Sequence, residues 1–102
     1  MDRVYELPLE KKAEVTKLLE AEPYAADSFA RVGYKLRDGK ALGEDEKKLF
    51  IYMSGSADFI KKADEKLKAV AAPPKSEIEQ RIITKIKAEE EAAEGGFGSL
   101  FG

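Results

Sequence analysis

The chain has 102 residues, 43% of them hydrophobic and 37% charged, with 18 Lys and Arg against 20 Asp and Glu. That is one domain's worth of sequence, able to bury a modest core under a surface of mixed sign, and so balanced a charge points to no particular polyanionic or polycationic partner. It contains neither Cys nor His, which removes disulfides, thiolate metal sites, thiol nucleophiles and the side chain most used for proton transfer near neutral pH, so the expectation is a chain that is not an enzyme and carries no cofactor.

Asn is absent and Gln80 is the one Gln, beside abundant Lys and Glu. This is the bias of proteins from hot environments, and it predicts a thermophilic, archaeal source. The first residues, Met1-Asp2-Arg3-Val4-Tyr5, lack an apolar stretch of signal-peptide length, and nowhere do eighteen apolar residues run together. A cytoplasmic protein with no membrane partner is therefore expected.

In chain order, Arg3 to Leu7 predicts a first strand stopped by Pro8, which suits the first turn of a helix. Leu9, Ala13, Val15, Leu18 and Leu19 approximate a helical stripe up to Glu22, ended by Pro23. From Ser28 to Arg37, Ala30, Val32, Tyr34 and Leu36 alternate with Arg31, Gly33, Lys35 and Arg37, the period of a strand with one inward and one basic face. Asp38 to Glu46 reads as a long charged loop, and Leu49 to Met53 as a central strand completing a hairpin. Ser56 is placed to cap a helix carrying Phe59, Ile60, Ala63, Leu67 and Val70 and ending near Ala72.

Pro73-Pro74 cannot continue a helix and sets a spacer over 73–75, closing a globular unit at residues 1–72. Ser76 and Glu79 have the spacing of a capping box, so a charged helix is expected over 76–94, with Ile78, Ile82, Ile83 and Ile86 as a narrow apolar stripe. Gly95-Gly96 would break it and leave residues 95–102 as a flexible tail. The predicted fold is a small two-layer β-α-β-β-α domain of α+β class with an antiparallel sheet, followed by a C-terminal helix and tail. So small a sheet needs its open face covered, either by the helix from Glu77 or by a second subunit in a homodimer.

The tail holds two Phe and one Leu among glycines, the composition of a short docking motif that anchors in an apolar groove. Its sequence, Lys87-Ala88-Glu89-Glu90-Glu91-Ala92-Ala93-Glu94-Gly95-Gly96-Phe97-Gly98-Ser99-Leu100-Phe101-Gly102, resembles the end of the archaeal ribosomal stalk proteins. These finish in a charged Glu/Lys-rich stretch, a Gly, a large apolar residue, small residues and Leu-Phe-Gly. The resemblance implies a protein partner within the translation apparatus, recruited by Phe97, Leu100 and Phe101. It stops at the tail, since that family begins with an all-helical dimerisation domain where this chain reads as strands.

The alternative is nucleic acid. Residues 28–75 hold eleven basic and seven acidic side chains, against three and six in residues 76–102. Arg31, Lys35 and Arg37 would share a strand face with Phe29, beside Phe50 and Tyr52 on the neighbouring strand, and Lys61 and Lys62 would add charge from the following helix. The plainer reading makes Phe50 and Tyr52 core residues and the lysines a solvated surface with i, i+4 partners. Asp38, Glu44, Asp45 and Glu46 lack the alternation of a calcium loop, Ser54-Gly55-Ser56 matches no phosphate-binding pattern, and no nucleophile stands beside a base in a recognisable motif; no metal or catalytic residue is assigned.

Overall fold

The computed structural model describes residues 1–21 and 28–101, with side chains described at all of these except 30, 31 and 93–101. Its elements are β1 (Asp2–Pro8), a single 3-10 turn over Leu9–Lys11, α1 (Lys12–Glu20), α2 (Phe29–Val32), β2 (Tyr34–Asp38), α3 (Gly39–Leu42), β3 (Lys48–Ser54), α4 (Ala57–Leu67) and α5 (Ser76–Phe101). The strands form one antiparallel sheet in the order β1-β3-β2, with Tyr5 opposite Ile51 and Leu36 opposite Ile51 from the other side. An α+β fold with an antiparallel sheet is what the periodicities predicted.

Strand alternation divides the core in two. Tyr5, Leu7, Leu49, Ile51 and Met53 face one way and pack with Val15 and Leu19 of α1, Phe29 of α2, and Phe59, Ile60, Ala63 and Leu67 of α4. Val4, Phe50 and Tyr52 face the other way and pack with Leu42, Ile82 and Ile86. Burying Ile82 and Ile86 at 0% and 1% exposure makes α5 the cover of the second face, supplied from within the chain. Pro73-Pro74 is thus a corner rather than the limit of the packed unit at residue 72, and Pro74 is itself buried.

Several local expectations change. The period-two run begins as a strand only at Tyr34; Phe29–Val32 is a turn of helix, with Val32 and Gly33 amides donating to the Ser28 and Phe29 carbonyls. Gly33 at φ 100° makes the exit from that turn, a left-handed conformation other residues resist. Val15 and Leu19 of α1 are buried while Leu18, and Leu9 in the 3-10 turn before it, are more than a third exposed, and the helix ends at Glu20; the predicted stop at Glu22 and Pro23 lies outside the described residues.

The long loop contains α3, which closes tightly. A Cβ at Gly39 would lie 1.8 Å from the Asp45 carbonyl oxygen, so only glycine fits there. The Ser56 cap is present, its Oγ accepting from the Phe59 amide at 3.1 Å. α4 stops at Leu67 rather than near Ala72, because Ala72 is extended: it donates to the Glu6 carbonyl at 3.0 Å and accepts from the Glu6 amide at 2.7 Å. The Glu79 side chain, expected to reach back within its own helix, instead turns to the sheet, where its Oε2 accepts from the Val4 amide at 3.2 Å. The outer edge of β1 is thereby closed at Val4 and Glu6, and Pro8 brings no N–H to it.

α5 runs on across Gly95-Gly96 to Phe101, where a break and a loose tail were expected. Glycine costs about 1 kcal/mol relative to alanine inside a helix but, unlike proline, keeps its N–H and makes no clash, so the ladder continues through it.

Candidate functional site: the distal half of α5 and the sheet face beside it

From Ser76 to Ile86 the helix is anchored by apolar contact, with Ile78 and Ile83 half-buried beside Ile82 and Ile86. From Lys87 to Ala92 every residue is exposed. What ties this stretch to the sheet is charge. Lys87 Nζ lies 2.9 Å from Asp2 Oδ2, Arg37 Nη2 3.5 Å from Glu89 Oε2, and Lys35 Nζ 2.7 Å from Glu90 Oε1. β2 supplies the cations because alternation turns Tyr34 and Leu36 toward the first core and Lys35 and Arg37 toward α5.

A second charged group fastens the start of α5 to α3. Glu44 accepts from Arg81 at 2.8 and 3.0 Å, a bidentate pair, and Lys85 Nζ sits 3.7 Å away while donating to the Leu42 carbonyl. The Glu44 side chain is only 8% exposed. Arg81's hydrogen bond holds its carboxyl below the usual carboxylate range, against an opposing push from burial. Asp2 is lowered in the same way, first by its hydrogen bond to Lys87, whose ammonium is correspondingly raised. Burial raises the Tyr52 hydroxyl, which donates to Asp2 at 3.2 Å.

The basic sheet face predicted for nucleic acid is only partly assembled. Lys35 and Arg37 do share a face, but both meet carboxylates of α5, and Phe50 and Tyr52 are buried beneath that helix at 2% and 6% exposure. Phe29 is on the opposite side, edge-on to Phe59 with ring centroids 5.9 Å apart and with Lys66 Nζ 5.6 Å from its centroid. Lys61 and Lys62 belong to α4, across the sheet from Lys35 and Arg37. The side chain of Arg31 lies outside the described residues.

The positions expected to bind a partner, Phe97, Leu100 and Phe101, fall within α5. Their side chains lie outside the described residues, but their spacing of three and four places them on one stripe of the helix. At 100° per residue this stripe continues that of Ile82 and Ile86. By a rise of 1.5 Å per residue it lies about 16 to 22 Å along the axis from Ile86. The sequence signal for this was present in the i, i+3, i+4 spacing and was masked by the glycines.

Elsewhere several turn and loop groups find local partners, while Arg3 Nε is buried without a hydrogen-bond partner among the described residues. The Gly55 amide donates to the Met1 carbonyl and the Met1 ammonium to the Gly55 carbonyl, so the turn before α4 is occupied by the chain itself. In the charged loop, Asp45 Oδ1 accepts from the Lys47 amide and Glu44 turns to Arg81. Among the described residues there is no group of three or more His, Cys, Asp or Glu that could hold a metal ion, and no helix long and apolar enough to cross a membrane. Tyr5, not singled out by the sequence, is nearly buried and donates to Asp64 at 2.6 Å; that bond and burial together push its hydroxyl pKa up, burial most. No protein-family model, no curated protein and no solved structure matches the chain.

Proposed function

We propose that this chain is a non-catalytic protein-interaction module that docks through the Phe97, Leu100 and Phe101 stripe at the distal end of α5. The observation that carries this reading is the continuity of α5: one 26-residue helix is anchored by buried isoleucines at its start and brings three large apolar positions onto one stripe at its end. Helix-in-groove recognition uses this arrangement, with anchors at i, i+3 and i+4 entering an apolar cleft. Glu91 and Glu94, next in sequence after the paired Glu89 and Glu90, precede the anchors, so the complementary cleft has a basic rim. The likeness of the tail to ribosomal stalk proteins directs the search for that partner to the translation apparatus.

Nucleic acid is the less favoured partner, because Lys35 and Arg37 already have carboxylate partners and the neighbouring aromatic rings are buried. The test is capture from an archaeal lysate by the immobilised full chain and by a Phe97→Ala/Leu100→Ala/Phe101→Ala variant, which keeps the length of α5. Proteins retained by the first and lost by the second support the proposal. Equal retention of the same proteins, or of nucleic acid, by both would place the binding surface on the folded sheet instead.

A further inference from the structure

We infer that the ion pairs Lys35–Glu90, Arg37–Glu89 and Lys87–Asp2 form a salt-sensitive latch that keeps the distal half of α5 helical and aligned. Three observations lead to it. Apolar anchoring of α5 is supplied at Ile78, Ile82, Ile83 and Ile86, and residues 87–92 are all exposed. The contacts that then hold the helix against the sheet are between charged side chains 34–55% exposed on the cationic or α5 side, open to competing ions. Beyond them the sequence turns to Gly95, Gly96 and Gly98, which weaken a helix left to itself, and a segment of about fifteen residues is marginal in water even with a better composition.

The latch thus sets how much of α5 is ordered past Ile86. Low ionic strength favours the aligned helix; screening or competing charge releases it, because pairs between exposed groups are weak and screened by salt. The consequence for docking rests on the function proposed above: a pre-formed stripe saves a partner the ordering cost of the helix, so release weakens binding.

Backbone hydrogen exchange on the full-length protein tests the latch without any partner, and so separates its failure from failure of the docking reading. Lys35→Glu/Arg37→Glu removes two of the three pairs and sets like charges against Glu89 and Glu90. Exchange of the amides of residues 89–96 should accelerate by about fivefold, the effect of two exposed pairs, while those of β3 stay protected. The swap Lys35→Glu/Arg37→Glu/Glu89→Lys/Glu90→Lys should restore slow exchange, and the wild type at high salt should match the double variant. Unchanged exchange in the double variant, or acceleration that the swap does not reverse, overturns the inference.

Discussion

Replacing Ile82 by alanine tests whether α5 belongs to the cooperative unit. Ile82 has no exposed surface and packs in the cluster of Val4, Leu42, Phe50, Tyr52 and Ile86 on the second face of the sheet. The change removes three carbons, worth about 2.4 kcal/mol at roughly 0.8 kcal/mol each, and a residual void of about 40 Å³ adds about 1 kcal/mol. The expected loss is therefore about 3 kcal/mol, a large part of the stability of a domain this size. Urea unfolding followed in parallel by far-ultraviolet circular dichroism and by tyrosine fluorescence measures it, with one transition shifted to lower urea and an unchanged slope. Two separated transitions, with α5 melting first and the sheet surviving at its wild-type midpoint, would refute the reasoning, since α5 would then be an appendage.

Three further outcomes are expected. Tyr5→Phe deletes the 2.6 Å bond to Asp64 while leaving Arg3 beside that carboxylate at 3.6 Å, and should cost about 1 kcal/mol in the same urea assay. Gly39→Ala places a methyl group inside contact distance of the Asp45 carbonyl and should destabilise by about 2 to 3 kcal/mol with the α3 loop displaced, visible as amide chemical-shift changes over residues 38–48. Glu44 is lowered in the folded protein below its ordinary 4.5, so its contribution is fully present above pH 4.5 and is lost as pH falls through its folded value. Glu44→Gln should therefore be less stable than wild type at pH 7, and the gap should narrow in urea titrations below pH 4.5. A gap constant down to pH 3 would contradict that assignment.

What could be read from residue order was local chemistry. Ser56 announces α4, Leu49 to Met53 announce the central strand, and Ile78, Ile82 and Ile86 announce a helix with a narrow apolar face, each through a cap or a periodicity that neighbours in the chain supply. Phe29 misled because Phe29-Ala30-Arg31-Val32 fits an alternating strand and a single helical turn equally well; over four residues the two periods are indistinguishable, and Gly33 decides between them through its backbone. The continuation of α5 past Gly95-Gly96 was hidden by propensity, which is a weak prior against a ladder already begun. The site was least legible. Glu44 meets Arg81 across 37 residues and Lys35 of β2 meets Glu90 of the helix lying over its face, and charge counts along the chain record neither pairing. Lys35 and Arg37 of β2 and the glutamates of α5 looked like two separate surfaces; in space they are one contact.

The closure of β1 reaches beyond the monomer. With Val4 capped by Glu79 and Glu6 bridged to Ala72, a neighbouring chain finds no row of available amides along that strand, and β2 at the other side of the sheet is only five residues long. Among the described residues no further strand pairs with β2, and a sheet that can be extended on one side alone cannot build a filament: pairing through β2 ends at two copies, because each copy then offers only its sealed side. At high protein concentration, where partly unfolded chains meet and exposed strands recruit one another, such a one-ended sheet stops growth at the first encounter for as long as the Glu79 and Ala72 contacts last.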